Sequence, residues 1–114
     1  MPYYRFNRSR LKTAYQPIVV AESPIVLVSL VLCNTDTSNR TFSIQHVPAD
    51  EVESDEHDLF FDTQIRSKIT QIIETPIFMG AGDQIIAKAS IADKVAMTVY
   101  ALDYDSFLQA PRFG

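Results

Sequence analysis

Residues 75–102, TPIFMGAGDQIIAKASIADKVAMTVYAL, decide the fold class. They open with an apolar corner at 76–79 and a turn, Gly80-Ala81-Gly82-Asp83, in a place that asks for permissive φ angles. A strand follows over 83–90, then a short link, Ile91-Ala92-Asp93, and a closing strand over 94–102. In the closing strand Val95, Met97, Val99 and Ala101 recur with a period of two, the spacing that puts side chains on one face of a sheet. The two strands are expected to pair through the 91–93 link. The segment holds no nucleophile motif, no cluster of metal ligands and no GxxxxGK[ST] loop, so its glycines read as turn residues.

The same period extends toward the N-terminus. A first strand is expected over 12–20, with Pro17 placing it at a sheet edge. The run 25–34 is apolar on both faces, with Ile25, Leu27 and Val31 on one side and Val26, Val28, Leu30 and Leu32 on the other, which suits a central strand or one covered by partner subunits. Asn34-Thr-Asp-Thr-Ser-Asn39 is a turn cluster. Over 40–47, Phe42 and Ile44 alternate with Thr41, Ser43 and Gln45. A strand over 59–65 carries Leu59, Phe61, Thr63 and Ile65 on one side, and another over 68–75 carries Ile69, Ile72 and Ile73, where the doubled Ile fits a bulge or a strand apolar on both faces. A helix over 67–74 is the minor alternative. The sum is an all-β chain: one antiparallel β-sandwich, jelly-roll or immunoglobulin-like, of about seven or eight strands. Residues 1–11 are expected to form an extended arm, 12–102 the sandwich and 103–114 a tail.

The length of 114 residues suits one domain, and 46% hydrophobic with 21% charged residues excludes a wholly disordered chain. The net charge of −4 argues against a surface built for nucleic acid. Its distribution is uneven. Residues 1–21 carry Arg5, Arg8, Arg10 and Lys12 and no acid, while 50–58 carry Asp50, Glu51, Glu53, Asp55, Glu56 and Asp58 and no base. No signal peptide is visible, and the apolar run 25–32 is too short to span a bilayer.

Chemistry finds little purchase. Cys33, the one cysteine, permits no disulfide within the chain and reads as a small buried hydrophobe. His46 and His57 flank the acidic segment, where both could approach Asp55 or Asp58. A carboxylate-rich loop could hold Ca²⁺, but it lacks the spaced D-x-D-x-D-G pattern and contains no Gly, so a solvated loop or a charge-complementary contact is the better reading. No cofactor motif and no nucleophile elbow is found, and a non-enzymatic chain is expected. Interaction residues are expected instead at the basic, aromatic N-terminus, Tyr3, Tyr4, Arg5, Phe6, Arg8 and Arg10, where Tyr and Arg are favoured at protein interfaces. Their counterpart is the acidic loop, Asp50, Glu51, Glu53, Asp55 and Glu56. Stacking on single-stranded nucleic acid is the less favoured use of the arm.

The words Val31-Leu32-Cys33-Asn34-Thr35, Leu59-Phe60-Phe61-Asp62-Thr63, the corner from Thr75 to Ile85 and the closing strand 95–102 resemble those of small β-sandwich virion structural proteins of tailed bacteriophages. The resemblance covers roughly residues 15–102 and leaves the basic arm and the acidic loop unaccounted for. It implies a multi-copy, homo-oligomeric subunit of the tail, neck, fibre base or capsid surface. Such a subunit would be made in the host cytoplasm and located in the virion, docked on other virion proteins and on copies of itself, with no membrane and no catalytic residue. The alternative is a ligand-binding module, such as a host-glycan-binding adhesion domain, with Phe60, Tyr100 and Tyr104 as the aromatics available for a platform.

Overall fold

The structure is a computed structural model that describes residues 4–74 and 76–104, with side chains from Arg8 onward. Nine strands follow one another: β1 Tyr4–Arg10, β2 Gln16–Val20, β3 Ile25–Asn34, β4 Arg40–Val47, β5 Asp58–Ile65, β6 Thr70–Ile73, β7 Ile77–Met79, β8 Gln84–Ala89 and β9 Val95–Asp103, with a single 3₁₀ turn at Asp55–His57. They form two antiparallel sheets packed face to face. One has the order β1-β9-β3-β6, with β7 also on β3, and the other β2-β8-β4-β5. β6 pairs with Leu30–Cys33 and β7 with Ile25–Leu27, so together they occupy one lane of the sheet. Counted that way, eight strands pair first with last, second with seventh, third with sixth and fourth with fifth. That is jelly-roll order, and the immunoglobulin-like alternative falls away.

The hairpin expected between 83–90 and 94–102 does not form. β8 lies in one sheet and β9 in the other. The 90–94 link arches across the sandwich instead. Asp93 takes φ +68, its N–H donates to the Leu11 carbonyl, and the Ser90 N–H donates to the Thr41 carbonyl. The arch lets Ile85, Ala87 and Ala89 face Val95, Met97 and Val99 across the core, where a hairpin would have set both rows on one side of a single sheet.

Bulges decide which other side chains enter. β3 pairs Leu27 with Ala101 but Ser29 with Tyr100, so Val28 is an extra residue. Ile25 and Leu27 point inward before it, and Leu30, Leu32 and Asn34 after it, all at most 2% exposed. Strict alternation over 25–34 therefore holds only in halves. β3 is central in its sheet, one of the two placements its two apolar faces suit. β5 carries two irregularities against β4: Phe42 pairs with Thr63, Ile44 with Phe60 and Gln45 with Asp58. They overturn the expected row of Leu59, Phe61, Thr63 and Ile65. Phe60 turns inward onto Phe42, with ring centroids 5.9 Å apart, while Leu59 and Phe61 face solvent. Asp62, at φ +45, is the strained residue of this bulge, and its N–H donates to Ser43 Oγ.

The N-terminal segment also differs from expectation. Tyr4–Arg10 is not a free arm but the edge strand β1, paired with β9 from Ala101 to Ala96. Leu11 follows it into the core, fully buried, with its N–H donating to the Val95 carbonyl. Burying a Leu contributes about 2 kcal/mol, which adds to the β1–β9 ladder in holding the segment on its own domain. Thr70–Ile73 is strand β6, so the helix alternative over 67–74 falls away. The tail beyond Tyr104 lies outside the described residues.

Candidate interface

Among the described residues the two sheets have four free edges, and each is blunted. β1 has an extra residue, Phe6, in its register; β2 contains Pro17 and shifts between Pro17 and Val19; β5 has its two bulges; the β6–β7 lane is made of two short strands, Thr70–Ile73 and Ile77–Met79. Such devices prevent edge-to-edge strand addition. That leaves exposed side chains as the available means of holding a partner.

Large apolar side chains are available for that. Phe61 on β5 is 61% exposed and Ile72 on β6 57%, with Leu59 on β5 and Ile69 in the turn that joins the two strands also exposed, while Phe78, 53% exposed, lies on β7. β5 and β6 are connected by only four residues, 66–69, so both edges lie on one flank of the sandwich. Phe78 stacks edge-on against Tyr104, 6.1 Å between centroids, over a shallow recess with Pro24, Met79 and Gly80. The sequence concealed this set, because it assigned Leu59 and Phe61 to the same face as buried Ile65. The available signal was Asp62, a residue type that tolerates positive φ, directly after the apolar run Leu59-Phe60-Phe61.

The expected interface residues are distributed as follows. Tyr3 lies outside the described residues. Tyr4, Arg5 and Phe6 are in β1, where the backbone register alone is described. Arg8 and Arg10 are exposed on β1 opposite Thr98 and Ala96, and Arg10 Nη1 donates to the Asp93 carbonyl at 3.0 Å. Asp50, Glu51, Glu53, Asp55 and Glu56 are exposed on the loop between β4 and β5. β1 and β5 are edges of different sheets, and the structure does not bring the two groups together.

The acidic loop is anchored rather than freely solvated. Buried Gln45 donates to Asp58 Oδ1 at 2.8 Å and accepts the Ser54 N–H at 3.3 Å. His57, its side chain 10% exposed, sets Nε2 3.2 Å from Glu51 and 3.6 Å from Glu56. Their ligand atoms lie within 4.8 Å of one another, the one group of metal-ligating type among the described residues. His46 goes elsewhere, to Asp83 at 3.0 Å. Neither histidine takes Asp55 or Asp58, the partners expected from sequence, because 3₁₀ winding at 55–57 and the β4 register turn them to nearer acids. Cys33 is half-buried on the outward side of β3 rather than a core residue.

A small cleft opens on the outer face of the second sheet, about 160 Å³ in volume, between Thr13, Thr41, Ser43, Asp62, Lys88 and Ser90. Tyr15 lies alongside, with Lys88 Nζ 4.7 Å from its ring centre. Burial raises the Tyr15 hydroxyl above its ordinary pKa, against lowering contacts from Ser43 and Gln45. Of the aromatics proposed for a ligand platform, Phe60 is turned into the core, Tyr100 is half-buried and Tyr104 is exposed.

No protein-family model matches this chain, and no curated protein or solved structure shows significant similarity to it. Among the described residues no helix is long and apolar enough to cross a membrane.

Proposed function

We propose that this chain is a non-enzymatic structural protein of a tailed-phage virion, a multi-copy jelly-roll subunit that docks on neighbouring virion proteins. The observation that carries the reading is the pair Leu59 and Phe61, turned to solvent by two bulges on an edge strand. Bulges re-aim side chains at functional positions, and large exposed apolar groups mark surfaces that become buried in an assembly. The resemblance of 31–35, 59–63, 75–85 and 95–102 to phage structural proteins supports the same reading. Docking then belongs to the β5–β6 flank, since Tyr4–Arg10 is committed to its own sheet. The site in the particle is at the tail, neck or fibre base, or at the capsid surface as a decoration or cement subunit.

The test is Leu59→Ser with Phe61→Ser, made in the phage genome. The protein should fold and melt as wild type yet be depleted from purified particles, as read by quantitative mass spectrometry. Full occupancy of the double variant in particles would end the flank assignment. Absence of the wild-type chain from any particle would end the virion reading itself.

The cleft of Thr13, Thr41, Ser43, Asp62, Lys88 and Ser90 favours a second reading, a module that binds a hydroxylated ligand such as a host glycan. Glycan-array binding that is lost in Asp62→Ala would support it, and a silent array would not.

A further inference from the structure

The topology sorts the charges of this chain onto two opposite ends. The strand registers place the loops 21–24, 48–57 and 80–83 at one end of the sandwich, where β3 begins and β4 and β7 finish. These loops carry Glu22, the five acids of the 50–56 run and Asp83, and no Lys or Arg. The loops 11–15, 35–39, 66–69 and 90–94 form the other end. There the acids are Asp36 and Asp93, and both are already engaged, Asp36 by Arg40 with Nε at 2.7 Å and Asp93 by Lys12. The basic excess remains with Arg66, Lys68 and Lys94, all exposed, and Arg10 closes the adjoining strand. The acids of the first end come from three separate stretches of sequence, and the bases of the second from four. Neither grouping follows from a charge run alone.

We infer that the two ends are complementary docking surfaces, and that the acidic end of one copy seats on the basic end of the next. This rests on the multi-copy structural reading above and names the partner, a second copy of this chain. Opposite potentials on opposite ends give a heterologous contact, which closes into a ring or continues as a stack according to the rotation between copies. Like ends repel, so the charge pattern also selects against antiparallel end contacts. The acidic surface is presented by an anchored loop, pinned by Gln45 to Asp58 and Ser54, so little ordering cost accompanies docking.

The test uses the full chain and sedimentation velocity. Wild type should self-associate more tightly in about 50 mM than in about 500 mM NaCl, by roughly tenfold or more, since exposed charges are screened over a few ångströms at high salt. Reversing one end, with Glu53→Lys, Asp55→Lys and Glu56→Lys, or the other, with Arg66→Glu and Lys94→Glu, should each abolish association at low salt. Mixing the two reversed proteins should restore it, because the basic loop of the first then meets the acidic end of the second. Rescue by mixing cannot come from misfolding, and each variant's melting curve checks its fold. A wild type that stays monomeric in low salt, or a mixture that fails to associate, would overturn the end-to-end contact. The virion reading would stand or fall separately, on the presence of the chain in particles.

Discussion

Asp83 joins the corner after β7 to the loop after β4. Its Oδ2 lies 3.0 Å from His46 Nε2 and accepts the Gly80 N–H at 3.0 Å, while Oδ1 accepts the Ala49 N–H at 3.0 Å. One carboxylate thus fixes the root of the acidic loop and the turn that starts β8. Burial alone would raise its pKa, but the hydrogen bonds from His46, Gly80 and Ala49 outweigh that and hold it below the ordinary 3.8.

Asp83→Asn should therefore destabilise the domain by about 1–2 kcal/mol at neutral pH. A depressed folded-state pKa means that the contribution is complete above the unfolded value and is lost as pH falls through the folded one. Urea unfolding of wild type and variant should show a constant gap above about pH 5 that narrows below about pH 4. A gap that widens on acidification would contradict the assignment.

The Gly80–Asp83 corner makes a second demand. Gly82 has φ +89, and a Cβ there would stand 2.8 Å from Ala49 Cβ. Gly82→Ala should cost about 1–3 kcal/mol from both sources. Adding Ala49→Gly should recover the steric part only, so the double variant should melt between Gly82→Ala and wild type. Equal melting of Gly82→Ala and wild type would refute the geometry.

Asn34 ends β3 fully buried and holds three segments at once. Its Nδ2 donates to the Ser38 carbonyl at 2.9 Å and the Ile65 carbonyl at 3.0 Å, and its Oδ1 accepts the Asp36 N–H at 2.9 Å. Asn34→Leu would remove every one of these partners, leaving buried backbone groups unsatisfied. A loss of about 2–4 kcal/mol is expected in chemical denaturation. A change below about 0.5 kcal/mol would show that the turn is held by other contacts.

The bulges in β5 predict a contrast between neighbours. Phe60→Ala opens space against Phe42 and should cost about 2–4 kcal/mol, whereas Phe61→Ala should stay within about 0.5 kcal/mol of wild type. Thermal melts of the two variants suffice. The reverse order would restore the unbulged register read from sequence.

The first and the last of these predictions turn on residues whose roles were hidden in the sequence. In the sequence Asp83 reads as the last residue of a turn, yet two of its carboxylate's three partners, His46 and Ala49, come from another strand and loop, and no local pattern links them. Phe61 was misplaced because alternation is a statement about one strand. A bulge is a property of two strands in register, and it resets the parity of every residue beyond it.

The sequence by itself determined the all-β class, the turns at 34–39 and 80–83, the edge position of Pro17 and the inward rows Phe42–Ile44 and Val95–Ala101. Each follows from period-two burial or from the backbone limits of Gly, Pro, Asn and Asp, which act over a few residues. Only the tertiary structure decided that β8 and β9 belong to different sheets, that Tyr4–Arg10 is a strand of its own domain and that acids and bases stand at opposite ends. Periodicity records that a face is buried and not which sheet buries it. That choice was made by long-range pairing, through an arch whose three residues read equally well as a hairpin turn.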